Sequence, residues 1–435
     1  MNFCKLHTMN YLFISWIIAS SLTLFGQGVS VKNFGAMGDG LTDDTAAIQN
    51  GLTAACFGTA PTTNLYFPAG TYNISAPLVT GCAMAITGDG PAASIIFQTH
   101  QYTQMHGIIA NHSLVMQDIA VNTTPLTVDY GMIAVFGGTS AAAAPMLGDT
   151  FTFVRFNSAG FNFGMDINGT SETDLLASIT VADCNIIVGT QANAVSQPIN
   201  AANAVFLTVE NSTLTGDSIP GGVTNNDHGI YTLAIRGVLI RNNLFQNHGN
   251  SAIKLLQGGF FSPSCPTIQD YTSWTIDNNR IEGSKMAIAV YSFCGLVMPS
   301  IVISNNQISN IPDTYFGDYA AVYVQSNCQS NMLNVASSGN TFSNIGLGGI
   351  ILASQIQGDN ACTATTAQGT ISNYTSTGDT FRNWSTSAAG TFPAINSTGA
   401  NLIQASVSQL NATSSLNNPL NLSSFASVNV ARIAQ

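Results

Sequence analysis

The sequence predicts an all-β protein wound as a parallel β-helix, and three observations lead there. Short apolar runs recur at Gly229-Ile230-Tyr231-Thr232-Leu233, Ala252-Ile253-Lys254-Leu255-Leu256, Ala287-Ile288-Ala289-Val290-Tyr291, Ala321-Val322-Tyr323-Val324-Gln325 and Gly349-Ile350-Ile351-Leu352-Ala353. A polar residue recurs two places before an apolar one at Asn243/Phe245, Asn279/Ile281, Asn306/Ile308, Asn340/Phe342 and Asp379/Phe381, with Asp149/Phe151 and Asn185/Ile187 as its N-terminal extension. From Asn243 to Asp379 these polar landmarks stand 27 to 39 residues apart, the mark of a stacked array with loops of varied length inserted on one side.

The runs alternate with the period a half-buried strand requires, since successive side chains leave a strand on opposite faces. Their second position (Ile230, Ile253, Ile288, Val322, Ile350) is β-branched throughout and should point inward. Asparagines stacked coil on coil should bond side chain to side chain along the axis. A single coil cannot bury its apolar face, so neighbouring coils must supply the core. The segments are too short and too rich in Val, Ile, Gly and Asn for a solenoid of helices.

The 435 residues then form one elongated unit rather than several globular domains. Only 7% are charged, against roughly 25% in an ordinary protein, which suits a stacked sheet with a hydroxyl- and amide-rich surface. A net charge of −11 argues against nucleic acid, which calls for a basic stripe. Residues 11–26, an apolar run following Lys5, have the layout of a secretory signal and are short for a membrane span. The expected organisation is a signal segment at 1–28, a cap with the first coils at 29–100, a β-helix body at 101–392 and an Asn/Ser-rich segment at 393–435 that packs on or caps the helix. The mature protein is expected to be secreted and to lack a membrane span. Export permits disulfides, and nearest-neighbour pairing gives 56–82, 265–294 and 328–362, with Cys184 free in the core.

At the N-terminus, VSVKNFGAMGDGLTDDTAAIQ reads as a strand, a glycine-rich turn and a helix start, with Asp43 or Asp44 as cap. The aspartates of this turn are expected to be structural. The succession FGAMGDGLTDDTAAIQ, FPAGTYNIS and ITGDGPAASII resembles the N-terminal signature of the pectate-lyase-like superfamily, more narrowly its rhamnogalacturonase/epimerase-like pectate lyase domain. The resemblance implies a right-handed parallel β-helix whose first turns and short helix form a cap, and a carbohydrate-active protein. Such a cap is physically needed, because a bare end coil exposes its core and its sheet edge.

The alternation also fixes which side chains leave the barrel. Aligning the strands places Ile109, Ile133, Asn162, Phe206, Tyr231, Lys254, Ala289, Tyr323 and Ile351 in one outward column, and Leu233, Leu256, Tyr291 and Gln325 in a parallel one. Lys254 falls between coils bearing Tyr231 and Tyr291, with Asp227 and His228 at the rim. Tyrosines offer sugar rings an apolar face with a hydrogen-bonding tip, and a lysine beside them can bind a uronate or serve as a base. Tyr291, Tyr323, Gln325 and Arg241 are the candidate substrate-binding residues; Lys254, His228, Asp227, Tyr231 and Asp217 are the candidate catalytic ones. Asp217 and Asp227 flank a polar loop and offer the two carboxylates of a glycosidase, which stand roughly 5 to 9.5 Å apart. The ordinary readings are a lysine snorkelling over apolar neighbours, aspartates serving turns, and Arg241 in a surface ion pair with Asp277.

Polygalacturonases carry an Asp-Asp pair, a Gly-His-Gly and an Arg-Ile-Lys that this chain does not reproduce in order or spacing, so that site is not transferred. Lyases of the superfamily use a lysine or arginine base, often with calcium. No cofactor is required by the sequence, and calcium is the one the resemblance suggests. The leading expectation is a polysaccharide lyase acting on a uronate-containing polymer. A glycoside hydrolase and a non-catalytic glycan-binding adhesin are the alternatives.

Overall fold

A computed structural model describes residues 28–434 apart from 59–62, 100–105, 125–132, 138–146, 172–174, 190–195, 218–226, 258–269, 294, 313–319, 356–367, 387–391, 400 and 414–418. Residues 1–27 of the expected signal segment therefore lie outside the described residues, as do Cys265, Cys294 and Cys362. The chain is a right-handed parallel β-helix in which each strand pairs in parallel with its counterpart one coil away. Among the described residues, no helix is long and apolar enough to cross a membrane.

One coil shows how the sequence makes three faces. Strand Ile230–Arg241 enters on one sheet, turns at Ala234, whose φ is 55°, and continues on a second sheet. A further left-handed residue, Asn242 (φ 58°), turns the chain into Leu244–Gln246 on the third. Asparagine tolerates that conformation better than any other non-glycine residue, because its short amide bonds locally. Asn242, Asn278 and Asn305 repeat it coil after coil.

The expected inward positions line the core. Ile199, Ile230, Ile253, Ile288, Val322, Ile350 and Ile395 stack in register and are fully or almost fully buried. The neighbouring file Ile186–Leu214–Phe245–Ile281–Ile308–Phe342–Phe381 is likewise buried, and the last two rings stack 4.4 Å apart. Each such side chain contributes about 1.5–3 kcal/mol when removed from water.

At the turn between the second and third faces the buried asparagines form the expected ladder. Nδ2 of Asn243, Asn279, Asn306 and Asn340 donates to Oδ1 of the next coil at 3.0, 3.0, 3.0 and 2.9 Å, ending on Asp379. Towards the N-terminus the ladder continues through Ser212 and Cys184. That corrects Asn185/Ile187: Cys184 and Ile186 are buried, and Ile187 is exposed. A slip of one residue turns every side chain to the other face. Asp149 serves another turn, accepting from the backbone N–H and hydroxyl of Ser113.

The cap is built as its aspartates suggested. Helix Thr45–Phe57 buries Ile48, Leu52 and Ala55 against the first coil. Asp43 accepts from Thr45 N at 3.0 Å, while Asp44, instead of capping, accepts from the amides of Met37 and Gly38 and ties down the glycine-rich turn. The Cys56–Cys82 disulfide fastens the helix end to the barrel, Cys184 is free and buried, and Cys328 is disulfide-bonded. The Asn/Ser-rich C-terminal residues contribute Ile395–Thr398, Leu402–Thr413, Leu420–Asn421 and Phe425–Ala434, which stack as further coils.

Candidate functional site

Tyr231, Lys254 and Tyr291 occupy adjoining coils on the first sheet face. Tyr231 and Lys254 are register partners, and Lys254 pairs onward with Ala289, two places before Tyr291. Their neighbours Ile230, Thr232, Ile253 and Leu255 are buried, so alternation sends all three outward, where they remain half-buried. Lys254 Nζ lies 5.6 Å from the ring centroid of Tyr231 and 5.8 Å from that of Tyr291. Two aromatic faces thus clamp one ammonium and fix where it points. Burial pushes the Tyr231 phenol up to about 12, so it stays protonated across the neutral range.

The outward columns match the expectation at Ile109 and from Tyr231 onward, and differ between the two. Residues ahead of Tyr231 in register are Asn200, Asp166 and Phe136, in place of Phe206, Asn162 and Ile133. Phe206 lies on the second sheet opposite Gly237, and Asn162 is buried at the bend between two strands. The second column runs Asn168, Ala202, Leu233, Leu256, Tyr291, Gln325 and Ala353. Tyr323 and Gln325 hold their expected places but are only 3% and 2% exposed, and Tyr323 packs with Met286, Ala289 and Ile351. The more open part of the face runs from Tyr291 to Asp166.

Beneath Tyr231 lies a polar cluster at the turn preceding its strand. His228 stacks on Tyr231 with centroids 5.3 Å apart and is fully buried. Its Nδ1 accepts the Ser251 N–H at 3.3 Å, which places the remaining ring proton on Nε2. Burial and the Lys254 charge hold His228 neutral. His248 bonds through Nε2 to the Leu214 carbonyl at 3.1 Å, and burial lowers it to about 4.

Asp217 and Asp227 meet here, 5% and 3% exposed, in side-chain hydrogen-bonding contact with each other. Desolvation, reinforced by Asp217, drives the Asp227 carboxyl far above the ordinary range, so the pair retains a proton. Glycines make the room. A Cβ on Gly249 would lie 2.3 Å from Asp227 Oδ2, and one on Gly229 2.8 Å from His248 Nε2. Among the described residues, one oxygen of each aspartate, His228 Nε2 and His248 Nδ1 have no hydrogen-bond partner.

Arg241 stands on the second face, away from this group. It is the register partner of Asp277, as expected, but its ion pair is with Glu210 at 2.6 Å. Among the described residues no group of three or more His, Cys, Asp or Glu side chains is placed to hold a metal.

Comparisons with known proteins place these features in a family. The family model for rhamnogalacturonase A/epimerase, pectate lyase-like proteins matches residues 28–348. A mannuronan C5-epimerase of Azotobacter vinelandii is 52% identical over 46 residues, covering 11% of this chain and 4% of that protein. A polygalacturonase of Arabidopsis thaliana is 29% identical over 125 residues, covering 29% of this chain and 27% of its own length. The chain thus spans a small part of these relatives. The A-module of another Azotobacter vinelandii mannuronan C-5 epimerase superposes with a TM-score of 0.60 at 16% identity, over 94% of this chain and 99% of that one, which shows a shared fold.

Proposed function

The chain belongs to the rhamnogalacturonase A/epimerase, pectate lyase-like family, and from that premise we propose that it is an exported polysaccharide lyase acting on a uronate-containing polymer. The observation that carries this reading is the Lys254 ammonium held between Tyr231 and Tyr291 on an outward sheet face.

In this reading a uronate lies against the face with its carboxylate near Nζ, and Tyr291 stacks on a ring. The ammonium that forms on Nζ as Lys254 takes the adjacent C–H proton pairs with the negative charge that develops on the carboxylate as that proton leaves. Lys254 as the neutral amine takes the proton. The cation–π contacts favour the ammonium, so the rate should climb with pH. The electron pair forms a C=C bond and expels the glycosidic oxygen, to which the protonated Tyr231 donates. His228, stacked beneath Tyr231 and out of reach of substrate, positions the ring.

The glycosidase alternative fits less well. Asp217 and Asp227 are only 5% and 3% exposed, whereas a glycosidase needs both carboxyls against the sugar. The test is incubation with uronate polysaccharides, reading unsaturated-uronate absorbance and reducing ends together. Both rising supports the lyase, and reducing ends alone overturn it.

A further inference from the structure

Along the two outward columns from Asp166 to Ala353, only two described side chains are charged, Asp166 and Lys254, and they are of opposite sign. They stand three coils apart, about 14 Å at ~4.8 Å per coil. The intervening register positions are Asn200 and Tyr231.

Asp166 is held in a defined pose. Its Oδ1 accepts from Asn168 Nδ2 at 2.5 Å and from Asn200 Nδ2 at 2.8 Å, the two amides converging on one oxygen. Met165 and Ile167 on either side are fully buried, so the side chain faces outward with the strand alternation. No described residue hydrogen-bonds to Oδ2. A fixed carboxylate oxygen beside two amide oxygens is an acceptor array for sugar hydroxyls, and it repels a second carboxylate.

Resting on the lyase reading, we propose that Asp166, with Asn168 and Asn200, forms a subsite for an uncharged sugar and so selects against polymers with a carboxylate on every residue. A sugar residue is about as long as a coil is tall. The sugar reaching Asp166 is then about three residues from the uronate at Lys254. In a homopolymeric uronan that sugar is anionic and meets the Asp166 charge. Where uronates alternate with neutral sugars, the third residue is neutral and offers hydroxyls instead. Burial pushes the Asp166 carboxyl up, and the Asn168 and Asn200 amides that donate to it act in the opposite direction, favouring the charged form.

The test is calorimetric binding of two oligosaccharides of equal length, one all uronate and one alternating uronate with neutral sugar. It compares wild type, Asp166→Asn and Asp166→Ser, each checked for an unchanged melting temperature. Wild type should prefer the alternating ligand. Both variants should shrink that preference on the order of tenfold, by gaining affinity for the all-uronate ligand and losing it for the other. An unchanged ratio in a folded variant, an equal wild-type affinity for both ligands, or no binding of either, overturns the subsite. Absence of an unsaturated product while the ratio shifts as expected would count against the lyase reading and leave the subsite standing.

Discussion

Lys254 sits one coil above Tyr231 in register, its ammonium 5.6 Å from the phenol ring, and a fully buried His228 stacks on the same phenol. Lys254, Tyr231 and His228 therefore share one support, and changes in any of them should be felt through Tyr231.

Tyr231→Phe keeps the ring under the ammonium and deletes the proton donor. Turnover on a uronate substrate should fall by about 10²-fold with KM nearly constant. Tyr291→Ala removes a stacking face worth about 1 kcal/mol, so KM should rise roughly fivefold while kcat is retained. Steady-state kinetics on both variants separates the two roles, and the reverse pattern would exchange them.

Asp227 gives a pH signature. Its folded carboxyl is raised, so the folded state keeps a proton that the unfolded chain releases near the ordinary value of about 3.9. The stability this contributes is complete below that value and drains away as pH rises towards the folded value, by up to about 1.4 kcal/mol per pH unit. Asp227→Asn cannot titrate. Urea unfolding between pH 5 and 8 should show wild type losing stability relative to the variant as pH rises. Parallel curves would mean that Asp227 is ionised in the folded protein.

The asparagine ladder carries the shaft. Asn306 accepts from the Asn279 N–H at 2.9 Å and its amide at 3.0 Å, and donates to the Ile276 carbonyl and Asn340. Asn306→Ala strands these buried groups and should cost about 3 kcal/mol in denaturant unfolding. A loss below about 1 kcal/mol would show that water substitutes for the amide.

Cys184 lies in the same file of turns, and burial pushes its thiol up to about 12. A thiol reagent should leave it unmodified in the native protein at neutral pH and label it on unfolding. Rapid native labelling would mean that the barrel opens locally at that coil.

Much of this was legible in the sequence where the repeat is regular. From Gly229 onward, β-branched residues at a fixed position gave the inward file, and paired asparagines gave the turn, so Tyr231, Lys254 and Tyr291 could be set side by side. Before Gly229 the pattern fails for physical reasons. Strand Gln197–Glu210 runs through a bend at Asn203 and begins Gln-Pro-Ile-Asn-Ala-Ala, so its most apolar stretch, around Phe206, belongs to the second sheet. Asp166 and Asn200 were lost in that shift, although Met165-Asp166-Ile167 does alternate. The contact of Asp217 with Asp227 joins residues on either side of a loop, and no local pattern encodes such closure.

The most direct test of the lyase account is the rate of unsaturated-uronate formation by wild type and Lys254→Ala on a polymer that both bind. Loss of at least about 10²-fold in kcat with the fold intact is the expected result. Undiminished turnover by Lys254→Ala would contradict it and remove Lys254 from the chemistry.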